Sequence, residues 1–437
     1  MPNNTLLTRS RAAVWHPCTQ MQQHETLPLV PIQRGEGVWL YDFDGRRYLD
    51  AISSWWVNLF GHCNPRINAA IIDQLQKLEH VMLSGFTHEP VIQLSERLAQ
   101  LAPPGLGHCF YASDGASAIE IALKMSVHYW HNIGQPEKNN FISLSNSYHG
   151  ETLGALAVTD IPLFKQAYRT VIKNHATVAS PDSRAAEPGE SAKDYAERCA
   201  ATLQQHLQQH HHSIAAFIVE PLVQGAAGMA MYHPIYLKRA RELCDNYQVH
   251  LIADEIAVGM GRTGTLFACE QAHITPDFLC LSKGLSGGYL PLSVVMTTEH
   301  IFQAFYADET ARGFLHSHSY TGNALACRAA LATLDIFTAD NVLAANRGKA
   351  AYFNNAVQPL RNHPQVRNFR HCGMIWAFEV GHADPHFAQR FFALALQQEL
   401  LLRPMGHTVY FMPPYVINEA EMDRLVAGTL RVIEALT

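Results

Sequence analysis

A chain of 437 residues, 48% of them hydrophobic, is long enough for a sizeable core and two or three domains, which excludes a disordered chain. A formal net charge of −6 and no basic tract longer than two residues exclude the electrostatic footprint of a nucleic-acid binder. No run of about 18 apolar residues exists to span a membrane, and MPNNTLLTRSRAAVWHP lacks an apolar stretch of signal-peptide length, so a cytoplasmic protein with small-molecule ligands is expected. The nine cysteines form no C-x-x-C pair, which fits reduced thiols.

From residue 12 the chain opens irregularly, and GVWLYDFDGRRYLDAIS then reads as two strands around a turn at Asp42-Phe43-Asp44-Gly45. Trp55 and Trp56 follow at once. Neighbouring side chains at a strand end cannot both face one side, so at least one is a candidate cavity wall; the plainer alternative makes both core residues at a domain or subunit contact. Between Asn64 and Ala102, PRINAAIIDQLQKLEHV and EPVIQLSERLAQLA place apolar residues at helical spacing with proline near the first turn. HCFYASDGASAIEIALKMSVHYW then gives a strand, a turn of small residues and a helix. Gly115-Ala116-Ser117 at that helix start suits a phosphate, because unpaired amides and the helix dipole favour an anion, although simple capping would use the same residues.

Phe141 to Leu144 is another buried strand, followed by SNSYHGETLGALAVT. Residues 175 to 212 are polar and read as a surface loop leading into a helix. His206 and the run His210-His211-His212 lie there without a carboxylate or cysteine partner, so a solvated helix end is favoured over a metal site, and no metal is expected. Ile214 to Glu220 is a strand, after which Glu220 and Gln224 are placed to hold their neighbours by hydrogen bonds. PIYLKRARELCDNY is a helix.

The next two strands carry the chemistry. Val249 to Ala253 is short, apolar and β-prone and stops at Asp254-Glu255, and Phe278 to Leu281 stops at Ser282-Lys283-Gly284. Strand ends are where open α/β sheets place their ligands. Lys283 reads either as a solvated loop lysine or as a Schiff-base lysine made nucleophilic by desolvation. Pyridoxal phosphate needs such a lysine together with a carboxylate on its ring nitrogen, since only a protonated ring is a strong electron sink, and Asp254 supplies that carboxylate. Gly259, Gly261 and Gly264 between them spell G-x-G-x-x-G. A dinucleotide fingerprint should open a long helix directly after its strand, but Asp254 to Val258 intervene and Pro276 leaves room for only a short element. The strand–helix alternation from about 105 to 295 predicts an α/β fold with a mostly parallel sheet covered on both faces.

GFLHSHSYTGNALA, at 313 to 326, begins a further helix with small and hydroxyl side chains. The remainder reads as a separate α+β domain: helices to about 360, strands in VRNFRHCGMIWAFEV, then helix, strand, strand edge and helix. Arg403 follows the strand-like LLL and precedes Pro404, which holds it near a rigid turn. The predicted divisions are 1–60, an N-terminal segment packing with the small domain; 61–325, the large domain; and 326–437, the small domain.

DEIAVGMGRTG followed by LSKGLSGG closely resembles the class III (ω-type) pyridoxal-phosphate aminotransferases, and the resemblance covers nearly the whole chain. It implies a fold-type I pyridoxal-phosphate transferase that is a homodimer with sites at its interface. It also implies roles. Lys283, Asp254 and Tyr148 would be catalytic, with Tyr148 of the aromatic-His-Gly motif stacked on the cofactor ring. Gly115 and Ala116 would hold the phosphate of pyridoxal 5′-phosphate, and His318 and Ser319 the phosphate of the cofactor across the dimer. Trp55, Trp56, Cys18, Ser317 and Arg403 would contact substrate, Arg403 by a bidentate grip on a carboxylate. SSWW with its following Gly-His and Asn-Pro turn is similar to the biotin-biosynthesis branch of the class. That branch implies conversion of 8-amino-7-oxononanoate to 7,8-diaminononanoate with S-adenosylmethionine as amino donor. The sequence departs from one form of the pattern at His16-Pro17-Cys18-Thr19, where a tyrosine often stands in place of Cys18. A thiol offers neither a phenolic hydrogen bond nor an aromatic face, so lysine stays open as a donor. Two other readings stand beside this one: an aminotransferase for ω-amino acids or diamines, and a pyridoxal-phosphate-binding regulatory protein without turnover.

Overall fold

Several apolar runs of four to six residues are too short for helices, and they become the centre of a sheet buried on both faces. The computed structural model describes residues 3–436 and divides into two units, one made of residues up to 68 with those from 344 on, the other of Ala69–Leu343. The divisions expected from the sequence fall at 60/61 and 325/326. The helix Ala324–Ala339 belongs instead with the large unit, where it lies against the helix Glu89–Leu101.

The large unit holds seven strands, numbered here in chain order: β1 (Leu106–Ala112), β2 (Asn140–Leu144), β3 (Ala176–Val178), β4 (Ile214–Val219), β5 (His250–Asp254), β6 (Phe278–Leu281) and β7 (Ser293–Thr298). Their order across the sheet is β1-β7-β6-β5-β4-β2-β3. Every pairing from β6 to β3 is parallel, and only β7 runs against its two neighbours. All residues of β4, β5 and β6 are buried, which is why these strands show continuous apolar runs and no alternation. The short strand β3 falls in the polar segment that reads as a loop. Three residues at a sheet edge leave no pattern to detect.

Helix α1 (Gly115–Asn132) covers one face. Its buried side chains include Ala118, Ile119, Ala122, Met125, Tyr129 and Trp130, a stripe at helical spacing that meets β4, β5 and β6 in the core. Asp114 caps it by accepting the Ser117 amide at 2.9 Å. Residues 255 to 267 form turns with no helix, so the glycines of the G-x-G-x-x-G string do not open the helix a dinucleotide site requires.

The small unit is α+β. A four-stranded sheet joins Ile32–Glu36, Trp39–Asp42, Arg47–Asp50 and Leu400–Leu401, and a three-stranded sheet joins Val366–Cys372, Ile375–Val380 and Thr408–Phe411. The first strand, IQRGE, is largely exposed, which hid it in a segment that reads as irregular. Leu400 and Leu401 pair in parallel with Leu49 and Asp50, so the N-terminal segment and the chain's last hundred residues share a sheet. Among the described residues no helix is long and apolar enough to cross a membrane.

His250 at the start of β5 is buried, stacked on Trp130 at 4.7 Å and bonded to Ser126 Oγ at 2.8 Å. Burial pulls its pKa down to about 4. In the folded state the ring therefore resists protonation, so its contribution to stability is complete above the ordinary value of 6.5 and is lost as pH falls from there through about 4. Urea unfolding at pH 7 and pH 4.5 should show His250→Gln losing about 2–3 kcal/mol less than the wild-type chain over that interval. An equal loss would place the acid-sensitive group elsewhere, His175 being another ring held down to about 4 by burial.

Candidate active site

Because β2, β4, β5 and β6 run parallel, their C-terminal ends lie on one edge of the sheet, the edge where ligands bind in open α/β folds. Asp254 closes β5 and is 5% exposed. Its Oδ2 meets His149 Nδ1 at 2.7 Å, and its Oδ1 accepts the Ile256 amide at 3.1 Å. His149 sits beyond β2 with its side chain fully buried. With Nδ1 committed to the carboxylate, Nε2 has no hydrogen-bond partner among the described residues. Lys283 begins the turn after β6 with φ of +46°, a left-handed conformation that strains any residue but glycine. Burial lowers its pKa, while Asp254 and then Glu220 pull it back up. The acid and amine expected from the two strand ends are thus electrostatically coupled inside one buried site.

Tyr148 precedes His149. Its amide donates to Glu220 Oε2 at 3.0 Å, its hydroxyl donates to Glu151 at 2.9 Å, and its ring meets Phe164 edge-on at 5.8 Å. Gly150 follows with φ of +118°, and a Cβ there would come within 2.6 Å of the Ala116 Cβ. At Gly115 a Cβ would come within 2.9 Å of Ile256. The start of α1 is therefore pressed against both the Tyr148 turn and the segment after Asp254, and only small residues fit. Asp114 takes the Ser117 amide, so the amides of Gly115 and Ala116 remain outside the helix's own ladder.

These residues fit pyridoxal 5′-phosphate: an amine made less basic by burial, a buried carboxylate backed by an imidazole, and a cradle of main-chain amides that a side chain would fill. Ser317, His318 and Ser319 lie on a separate, largely exposed loop. It is tied down by Lys124, which donates to His316 at 2.8 Å, by the His316–His318 ring contact at 3.3 Å, and by His80 at 2.8 Å from the Ser319 carbonyl.

The substrate candidates of the small unit meet in a cavity of about 530 Å³ lined by residues that include Cys18, His24, Trp55, Gln389, Arg403 and Tyr410. Parallel pairing of Leu400–Leu401 with Leu49–Asp50 brings the two chain segments together, and the Arg403 guanidinium lies 5.0 Å from the Trp55 ring centroid. The adjacent tryptophans part company. Trp55 is 45% exposed and forms the wall, whereas Trp56 is 6% exposed and donates through Nε1 to Tyr410 Oη at 3.1 Å. Trp56 therefore supports the cavity through Tyr410 and does not line it.

The separation comes from the backbone. Ser53 to Trp56 all have positive φ, between +46° and +74°, forming one left-handed turn at a cost of roughly 1–2 kcal/mol per residue. Asp50 holds it: Oδ1 accepts the Ser54 amide at 2.9 Å, and Oδ2 accepts the Ser54 hydroxyl at 2.7 Å and faces His62 Nε2 at 3.0 Å. Ser53 Oγ donates to the Met412 carbonyl at 2.7 Å.

His149, Asp50, His24 and Tyr410 have no part in the expectations drawn from the sequence, and Glu220 has only a general holding role there. His149 was legible as the middle of Tyr148-His149-Gly150. Asp50 carried no signal, since its function depends on a turn without glycine.

Residues 20–433 match the family described as Aminotransferase class-III. The chain is 47% identical over 430 residues to the adenosylmethionine-8-amino-7-oxononanoate aminotransferase of Helicobacter pylori, covering 97% of this chain and 96% of that one. It is 39% identical to the Aquifex aeolicus enzyme of the same name, with 94% and 93% covered. Among solved structures, the enzyme of that name from Methanocaldococcus jannaschii superposes with a TM-score of 0.93 at 33% identity, covering all of both chains. An ω-transaminase from Pseudomonas jessenii in complex with PMP gives 0.94 at 29% identity, with 99% and 98% covered.

Borohydride treatment of the purified protein should fix the cofactor to the peptide containing Lys283, read as a mass increase on that peptide alone. Lys283→Ala should remain folded and take no label, and a label on any other lysine would reject the assignment. Asp254→Asn should keep the label yet turn over on the order of 10²-fold more slowly or worse, the loss seen when a buried electrostatic contact is removed from a reacting centre.

Proposed function

The chain belongs to the class III aminotransferases, and we infer that it transfers an amino group from S-adenosylmethionine to 8-amino-7-oxononanoate, forming 7,8-diaminononanoate in biotin biosynthesis. The observation that carries the choice of acceptor is the Arg403 guanidinium 5.0 Å from the Trp55 ring at the wall of one cavity. This keto acid has a methylene chain between its reacting end and its carboxylate. A guanidinium takes the carboxylate through two parallel hydrogen bonds, and an aromatic wall takes the chain. An ω-transaminase shares the fold at a similar TM-score, so the fold alone does not select the acceptor. Cavity chemistry and the higher identity to enzymes of one name favour it.

Bound pyridoxal 5′-phosphate supplies the aldehyde that receives the amino group and the ring that withdraws electrons from the reacting carbon. Lys283 carries the proton. Burial favours its neutral amine, which takes a proton from the reacting carbon of the donor in the first half-reaction and places one on the reacting carbon of the acceptor in the second, a role that contributes about 10²–10⁴-fold. Asp254 keeps the ring nitrogen protonated, and His149 orients the carboxylate that does so. Tyr148 covers the ring and excludes water, and the amides of Gly115 and Ala116 hold the phosphate. Trp55 and Arg403 receive the acceptor, and Cys18 lines the same cavity, its small thiol leaving room for water beside the substrate. The exposed Ser317-His318-Ser319 loop serves the cofactor of the partner subunit in a cytoplasmic homodimer, a reading supported by its exposure and by the restraint of its main chain.

Purified enzyme supplied with 8-amino-7-oxononanoate should form the diamine with S-adenosylmethionine; product formation with lysine and none with S-adenosylmethionine would reassign the donor. Arg403→Ala should raise the acceptor KM by about 10- to 100-fold with little change for the donor, as expected for loss of a charged hydrogen-bonded pair. Equal increases for both substrates would give Arg403 a general structural part instead.

A further inference from the structure

Glu220 follows β4 with a carboxyl group that is 6% exposed, and the main chain uses both of its oxygens. Oε2 accepts the Tyr148 amide at 3.0 Å and Oε1 the Gly225 amide at 2.9 Å. One carboxylate thus fastens the turn after β2 to the turn after β4, and the first of these carries Tyr148 and His149. The ionisable groups that face it come from four elements: His149 beside Tyr148, Asp254 at the end of β5, Lys283 after β6, and Tyr232, whose hydroxyl donates to the Glu220 carbonyl at 2.6 Å.

We propose that Glu220 is a positioning residue of the reacting centre: as a carboxylate it clamps both turns, and on taking up a proton it releases one of them. An ionised carboxylate only accepts, whereas a neutral acid has one oxygen that carries a hydrogen and accepts poorly. Facing two N–H donors, the neutral acid satisfies one. Burial pushes this carboxyl up to about 7, with His149 opposing the rise, Asp254 adding to it and the two amide bonds opposing it, so the change of state falls near neutral pH. Acidification then loosens either the turn after β2 or the turn after β4, and release of the first, from which Tyr148 is presented, becomes an acid limb of activity separate from the titration of Lys283. The inference takes from the proposed function only the placing of Tyr148 against the cofactor.

Hydrogen exchange by mass spectrometry on the holoenzyme tests the clamp without turnover. After correction for intrinsic rates, the peptide holding Tyr148 or the one holding Gly225 should lose about tenfold in protection between pH 8 and pH 6, the loss expected when a hydrogen bond to a charged group opens. The visible circular dichroism of the bound cofactor should follow the same midpoint. Glu220→Gln, whose amide must point an N–H at one of the two donors, should show the low protection at both pH values and no such titration; Glu220→Asp should regain a pH-dependent signal. Wild-type protection that stays level from pH 8 to pH 6 overturns the proposal, as does a Glu220→Gln protein with full protection and an unchanged spectral titration. Absence of turnover with 8-amino-7-oxononanoate would reject the acceptor and leave the exchange result standing.

Discussion

Charge withdrawn from water is the constraint on which the large unit is built. Parallel strands must end on a common edge, and here those ends deliver the buried His149, Glu220 and Asp254 and the half-buried Lys283 into one region. A solitary charge in such a place would neutralise itself. Asp254 avoids this with an imidazole at 2.7 Å and a main-chain amide, Glu220 holds two amides, and Lys283 has two acidic neighbours that offset part of its burial. Without both acidic neighbours only the pull of burial would act on Lys283.

The small unit meets a different difficulty, that of fixing an aromatic ring which remains half exposed to solvent. Burial cannot immobilise Trp55, so the backbone does. Four left-handed residues aim it, and Asp50, itself fully buried as a side chain, takes hydrogen bonds from the turn and from His62. Strain of this kind persists only where surrounding bonds over-determine it. The reward is an indole standing beside the Arg403 guanidinium in a cavity whose other walls come from chain segments far apart in sequence.

Much of this was legible in the sequence because burial leaves a mark on composition. β4, β5 and β6 are continuous apolar runs, the abrupt ends of the last two at Asp254 and Lys283 carry the chemistry, and Gly115-Ala116-Ser117 marks a helix start suited to a phosphate. What escaped was whatever depends on partners distant in the chain. His149 meets Asp254 across 105 residues, and its place in Tyr148-His149-Gly150 does not reveal that partner. Trp55 and Trp56 read as equivalent until a left-handed turn, written in serines and tryptophans without a glycine, sent one to the cavity and the other to Tyr410. Ile32–Glu36 and Ala176–Val178 were missed because an exposed strand and a three-residue edge show no alternation.

The hydrogen bond from Ser53 to the Met412 carbonyl spans 359 residues, and it helps hold the turn that aims Trp55. At ribosomal speeds of about 5–20 residues per second, the partner emerges roughly 20–70 seconds after the serine. The whole of Ala69–Leu343 is synthesised in that interval and can complete its own sheet meanwhile. The N-terminal segment cannot, since its strand Arg47–Asp50 awaits Leu400–Leu401 as well. During that wait its tryptophans and apolar strands remain without their partners, and the cavity beside Trp55 is completed only when the C-terminal strands arrive.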